Sequence, residues 1–185
     1  YEVEVIKNYL LRLGYSVNDD NIYDLENNTF NFKLDKINKS PSRFDLKKLS
    51  NMNAFYLRTQ PLNDLLNRIK TKFNLNEEIL ERLDFLLPDL IQRYTYLNEI
   101  ENDFLWLSND FTNNLSDLNQ ENLNIVFEVL NILKSTEWNL IELKENIEKY
   151  LVENNLKMKD VGPILRIILT GKTNTPDIYK VIFII

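Results

Sequence analysis

With 185 residues, 44% of them apolar and 27% charged, the chain is long enough to bury a substantial core as one large or two small domains. It contains no apolar run near the ~18 residues that a membrane-spanning helix needs. With no cysteine and no histidine it can form neither a disulfide, a thiolate metal site nor a histidine-based acid–base pair.

Along the chain the apolar periodicity is helical, and only three glycines interrupt it. Val5, Tyr9, Leu10 and Leu13 line one face of a first helix that Gly14 ends. Residues 28–34 read as loop or irregular structure. Asp45 is placed to cap a helix carrying Leu46, Leu49, Met52, Asn53, Phe55 and Tyr56. After Pro61 the stripe resumes with Leu62, Leu65, Leu66, Ile69 and Phe73. Ile79, Leu83, Leu86, Leu87, Leu90 and Ile91 form the next, inside which Pro88 predicts a break or kink. Leu97, Ile100 and Phe104 fit a short helix, and Asn119 opens the segment of Leu123, Val126, Phe127, Leu130 and Leu133. Asn139 with Glu142 spells a capping box for a helix over 140–152. Gly171, after the run Ile164 to Leu169, predicts a helix stop that uses positive φ. Thr175 then predicts the cap of a last helix with Pro176 as its first residue. The expected fold class is all-α, a multi-helix bundle.

The net charge of −6 is unevenly distributed. Lys33, Lys36, Lys39, Arg43, Lys47, Lys48, Arg58, Arg68, Lys70 and Lys72 are opposed in their segment only by Asp35, Asp45 and Asp64. From Glu77 to Glu128 carboxylates dominate, with Asp110 and Asp117 among them, and a mildly basic stretch follows through Lys157, Lys159, Arg166, Lys172 and Lys180. A basic patch within an acidic chain reads either as a solvated helix face or as a surface that attracts phosphates by counterion release. Catalytic motifs are absent. The glycines stand alone, so no phosphate-cradling loop exists, and no serine has a histidine partner. Pairs such as Glu77 and Glu81 fit a helix surface better than a reactive site. The asparagine-rich composition, with much Lys, Ile, Leu, Tyr and Phe, fits an AT-rich coding sequence.

Several segments carry a resemblance. They are Tyr9-Leu10-Leu11-Arg12-Leu13-Gly14-Tyr15-Ser16, Ile22-Tyr23-Asp24-Leu25-Glu26, and Ser40-Pro41-Ser42-Arg43-Phe44-Asp45-Leu46-Lys47-Lys48-Leu49 with Met52-Asn53 and Tyr56-Leu57-Arg58. Trp138 with its following helix adds to these, as does Pro163-Ile164-Leu165-Arg166-Ile167-Ile168-Leu169-Thr170-Gly171 followed by Pro176-Asp177-Ile178-Tyr179. In this order and spacing they resemble the part of bacterial-type glutamyl-tRNA synthetases that follows the catalytic domain. Tyr15 stands where the family usually has Trp, Ser42 where it has Ala, and one residue is added between Pro163 and Leu165. Between Asn74 and Lys134 only the helical pattern agrees. Lys157-Met158-Lys159 is not the family's Lys-Met-Ser-Lys-Ser loop, because the serine is missing and Asp160 follows.

The resemblance implies the helical anticodon-binding (cage) fold of class I aminoacyl-tRNA synthetases. It implies a stem-contact region over 1–72 and an anticodon-binding domain over 73–185, in two sub-bundles meeting near 112–118. A chain beginning at Tyr1 without an initiator Met reads as a fragment of a glutamate–tRNA ligase, inactive alone. ATP and Mg would belong to the missing catalytic domain, with no cofactor in this part. The implied partner is the glutamate tRNA and, in members that mischarge for later amidation, the glutamine tRNA; a cytoplasmic monomer without membrane contact is expected. Arg43, Lys47, Lys48, Arg58, Arg68 and Lys70 suit phosphate contacts, Arg93, Tyr94 and Tyr96 suit unstacked bases, and Arg166 falls in the family's Pro-x-Leu-Arg motif. Ordinary packing is the competing role for the tyrosines, and a helix–helix contact for Arg166. The alternative function is a helical protein–protein interaction module without nucleic-acid binding.

Overall fold

A computed structural model describes residues 1–17, 22–23, 25, 32–108 and 119–185. Among them the chain is helical: α1 (Val3–Gly14), α2 (Leu46–Thr59), α3 (Leu62–Phe73), α4 (Glu77–Leu90), α5 (Phe104–Leu107), α6 (Gln120–Ser135), α7 (Leu140–Glu153), α8 (Met158–Thr170) and α9 (Ile178–Ile184). Short 3-10 turns occupy Leu34–Lys36 and Leu97–Asp103. Extended pairing among the described residues is an isolated antiparallel bridge between Tyr15 and Ile37. The all-α expectation holds. Residues 28–31 of the expected irregular segment, the expected sub-bundle boundary at 112–118, and Asp24, Glu26, Asp110 and Asp117 lie outside the described residues.

The helix starts follow their caps. The Asp45 carboxylate accepts the Lys48 N–H at 3.0 Å, the Asn119 amide oxygen accepts the Asn122 N–H at 2.9 Å, and Asn139 accepts the Glu142 N–H at 2.9 Å. The capping box at Asn139 is half formed, because the Asn139 N–H donates to the Glu137 carbonyl instead of the Glu142 side chain. Gly171 ends α8 at φ 69°, its N–H on the Ile167 carbonyl at 2.8 Å. Two expectations need correction. Of the break or kink expected at Pro88, the break does not occur, since α4 runs on to Leu90: so close to the helix end, a proline forfeits one backbone bond without ending the helix. The last helix begins two residues later than Thr175 and Pro176 imply, because Asp177 caps it through the Tyr179 N–H at 2.9 Å.

The chain divides into two compact units, Tyr1–Leu65 with Ile91–Ile100, and Leu66–Leu90 with Glu101–Ile185. In the first, α1 packs on α2 through Val5, Tyr9 and Leu49, flanked by Leu13, Met52 and Tyr56. Burying side chains such as Val5 and Leu49 contributes about 1.5–3 kcal/mol each. Leu10, Leu46 and Phe55, expected on the buried stripes, are exposed.

Two buried asparagines hold this unit's irregular chain. Asn8 donates to the Glu4 and Tyr23 carbonyls at 2.8 and 2.9 Å and accepts the Tyr23 N–H at 2.7 Å. Asn53, 1% exposed, accepts the Glu2 N–H at 2.7 Å and donates to the Thr95 carbonyl at 2.5 Å. The stretch before α2 is tied back to the end of α1 as well. Ser16 N–H meets the Lys36 carbonyl, Asn38 N–H the Gly14 carbonyl, and the Ser42 hydroxyl the Leu13 carbonyl. The Asp45 N–H donates to the Tyr9 hydroxyl, whose ring meets Phe44 edge-on at 5.0 Å.

In the second unit, α9 packs against α4, α7 and α8, while α6 packs against α7 and α8, and α5 against α4 and α8. The apolar faces of α4 (Leu83, Leu86, Leu87), α7 (Leu143, Ile147) and α9 (Val181, Ile182) are buried there. On α6, Val126 and Val129 are buried, but Phe127 and Leu130 of its expected stripe are exposed. Lys172 pairs with the buried Asp103 at 2.7 Å, and Asp103 also accepts the Trp106 indole N–H at 2.8 Å.

Replacing the amide in Asn53→Ala strands the Glu2 N–H and the Thr95 carbonyl. An unsatisfied buried polar group costs about 1–3 kcal/mol, so we expect a loss of about 2 kcal/mol in urea unfolding. A second expectation concerns alkali. Burial, and after it the Glu148 carboxylate, pushes the Tyr179 phenol from its ordinary 10.0 up to about 12. The folded-state value is the higher one, so this stabilisation is fully present below pH 10 and is lost as pH rises towards 12. Thermal melts of Tyr179→Phe will therefore fall less steeply than those of the native chain across that window.

Candidate nucleic-acid interface

Helix geometry sorts α2 into two faces. Leu49, Asn53, Ala54 and Leu57 are buried. Lys47, Asn51, Phe55 and Arg58 fall at i, i+4, i+8 and i+11, so they share one side of the helix, and all four are exposed. Phe55 keeps 52% of its surface open. Lys48 neighbours the stripe, and Arg43 is exposed just before the helix. Among the described residues no carboxylate lies within ion-pair distance of Arg43, Lys47, Lys48 or Arg58.

Beside this stripe is a cleft of about 350 Å³. From α2 it is lined by Lys47, Lys48, Asn51, Met52 and Phe55, with Asp45 at the helix start. Arg12 and Ile22 close it from the other side, the Arg12 guanidinium lying 5.9 Å from the centre of the Tyr23 ring. Lys47 and Lys48 belong to the basic run read in the sequence. Arg12, Asn51 and Phe55 were not singled out as site residues. Their signal is the helix angle: Phe55 lies about 120° from Leu49 around α2, at 3.6 residues per turn, so it cannot share that buried face.

The remaining sequence candidates fall elsewhere. Arg68 and Lys70 are exposed on α3, Lys70 pairing with Glu77 at 3.3 Å. Arg93, Tyr94 and Tyr96 lie not on a helix but in the turn after α4. Tyr94 is 5% exposed, which fits the packing role held open for it. Tyr96 is engaged inside its unit. Its hydroxyl meets Ser50 at 2.9 Å and Tyr1 at 3.0 Å, and the Tyr1 and Tyr96 rings cross edge-on at 5.0 Å. Hydrogen bonding, with Ser50 foremost and Tyr96 next, lowers the Tyr1 phenol below its ordinary value.

Arg166 is half-buried on α8. Its guanidinium folds back over Gly162, where an added Cβ would come within 2.8 Å of Nη1. The glycine is therefore the space this arginine uses, which favours a local role on α8. Of the other late lysines, Lys172 and Lys180 are engaged by Asp103 and Asp89, whereas Lys157 and Lys159 are exposed. Among the described residues no group of three or more His, Cys, Asp or Glu side chains could hold a metal ion, and no helix is long and apolar enough to cross a membrane.

Residues 46–185 match a protein family described as "Anticodon binding domain". The whole chain is similar to glutamate–tRNA ligase 2 of Bartonella quintana, at 34% identity over 42% of that protein's length. Likewise 98% of the chain is similar to glutamate–tRNA ligase 2 of Parvibaculum lavamentivorans, at 32% identity over 40% of its length. The fold is similar to the crystal structure of a glutamate tRNA ligase from Elizabethkingia meningosepticum, with a TM-score of 0.74 at 21% identity, covering 98% of this chain and 38% of that one. The chain thus spans about two fifths of the length of these curated relatives.

If the exposed face of α2 is kept for a ligand and Tyr94 for the core, stability will separate them. Lys47→Glu with Arg58→Glu is expected to change unfolding free energy by no more than about 0.5 kcal/mol. Tyr94→Ala is expected to cost about 3 kcal/mol, as large-to-small core changes do. Urea titration of both variants checks the contrast.

Proposed function

Because the chain belongs to the anticodon-binding domain family, we propose that it is the tRNA-holding part of a glutamate–tRNA ligase. The observation that carries this reading is the family match over 46–185, joined by relatives named as glutamate–tRNA ligases that align with 98–100% of the chain. The geometry supports it. Lys47, Lys48 and Arg58 are exposed cations of α2, with Arg43 exposed just before it, suited to phosphate contacts that set the position of an RNA without reading its sequence. Carboxylates elsewhere on the acidic chain repel an RNA held in the wrong place.

In this reading the chain does no chemistry of its own. Its glycines stand alone, and among the described residues no group of three or more His, Cys, Asp or Glu side chains could hold a metal ion. Activation of glutamate with ATP is assigned to the length of the relatives that this chain does not match. The chain contributes position, holding the tRNA while its acceptor end reaches that other part. The substrate is the glutamate tRNA, with the glutamine tRNA as a second one in an enzyme that mischarges it. The chain acts as a monomer in the cytoplasm.

Titrating the chain with glutamate tRNA at several salt concentrations tests this. Removing one phosphate-binding cation flattens the log–log salt slope by about 1. Reversing Arg43, Lys47 and Arg58 together is thus expected to weaken binding at least about tenfold and flatten the slope by about 2–3. Indifference to tRNA at low salt would overturn the reading and return the chain to the class of helical protein-binding modules. Running the glutamine tRNA in parallel shows whether the anticodon surface separates the two.

A further inference from the structure

Phosphate positioning explains the cations of α2 but not the aromatic ring that lies between Lys47 and Arg58 on its exposed stripe. Phe55 is a large apolar side chain that the core of its unit leaves half open, set on a stripe that is otherwise polar. It lies on the wall of the cleft of about 350 Å³, a size within the range of about 300–1,000 Å³ typical of ligand sites. We propose that this cleft receives a single unstacked nucleotide of the bound RNA, with its base against Phe55 and its phosphate at Lys47 and Lys48. The proposal rests on the tRNA-binding reading and names a subsite within it.

The lining is divided as such a ligand requires. Phe55 offers a π face and the half-buried Met52 a polarisable apolar surface, both suited to contact with a base. Asn51, one turn before Phe55 on the same stripe, carries an amide that both donates and accepts, the pattern that pairs with a base edge. Lys47 and Lys48 supply positive charge at the rim. The carboxylate there, Asp45, already accepts the Lys48 N–H as helix cap, which holds it at the helix start. A free phosphate would need the lysines but not the ring, and an apolar ligand the ring but not the lysines. A nucleotide uses both. Its source is either the RNA or a free nucleoside monophosphate, and we assign it to the RNA because the same helix carries Arg58 further along the stripe, as an extended backbone would need.

Phe55→Ala, Phe55→Leu and Phe55→Tyr in the full chain, titrated with glutamate tRNA, test the assignment; circular dichroism melts confirm folding, which this half-exposed residue does not control. Loss of one stacked base is expected to weaken binding about tenfold in the Ala and Leu variants. The salt slope should stay unchanged, because no phosphate contact is removed, and Tyr should restore affinity. Chemical probing of base edges on the tRNA should show one nucleotide protected by the native chain and exposed with Phe55→Ala. Native affinity in Phe55→Ala, or a Leu variant as good as Tyr, overturns the subsite; if the charge reversals still weaken binding, the tRNA reading survives. Saturable binding of nucleoside monophosphates that Phe55→Ala abolishes, with tRNA affinity untouched, overturns the RNA source. A native chain that does not bind tRNA at all overturns both.

Discussion

The buried amide of Asn53 decides what α2 can present. Its carbonyl oxygen takes the backbone N–H of Glu2 and its N–H₂ group reaches the carbonyl of Thr95, so one side chain joins the start of α1, the middle of α2 and the turn after α4. A buried amide must be satisfied, and only one rotation of the helix about its axis satisfies this one. That rotation points Leu49 and Leu57 inward and leaves Lys47, Asn51, Phe55 and Arg58 outward. The open cationic face is thus the complement of a hydrogen-bonded lock.

The features that could be read from the chain were those whose partners are close in sequence. Asp45, Asn119 and Asn139 each bond an N–H three residues on, and Gly171 needs only its own φ to close α8. Even there, competition between neighbours shifted the outcome. Asp177 accepts the Tyr179 N–H, and α9 starts after it rather than at Pro176. Asn8 and Asn53 were invisible in this way. Each bonds backbone far along the chain, at Tyr23 for one and at Glu2 and Thr95 for the other, and no spacing rule marks such partners. The sequence put Met52 and Asn53 on the stripe of α2 and in the resembling segment; the hydrogen bonds give the reason an asparagine belongs there.

The candidate site was half legible, and the division has a physical cause. Exposed lysines on a helix announce themselves, because charge rarely goes inside. Aromatic residues do not, because the same ring serves a core or a ligand. Tyr94, for which packing was the competing role, went to the core, and Phe55, expected on a buried stripe, to the surface. Positive charge late in the chain was equally ambiguous. Lys172 and Lys180 are held by Asp103 and Asp89, pairs formed between residues more than sixty positions apart. Counting those lysines towards a binding surface would overstate it.

A surface that positions an RNA gains from being held still. Long cationic side chains lose rotational freedom when they grip a phosphate, and a helix that also had to find its orientation would lose more. Here the orientation is already set from the buried side. Residues at i, i+4 and i+8 keep their relative places along one rigid rod, so a group held at Lys47 stands at a defined distance from Asn51 and Phe55. Successive members of that stripe are one helical turn apart, about 5–6 Å. This is of the order of the advance along an extended nucleic-acid backbone, so charge and ring can address neighbouring chemical groups on one strand without either side chain being strained. The lock at Asn53 and the stripe opposite it are therefore one device: the hydrogen bonds of the buried face set the register in which the exposed face is read.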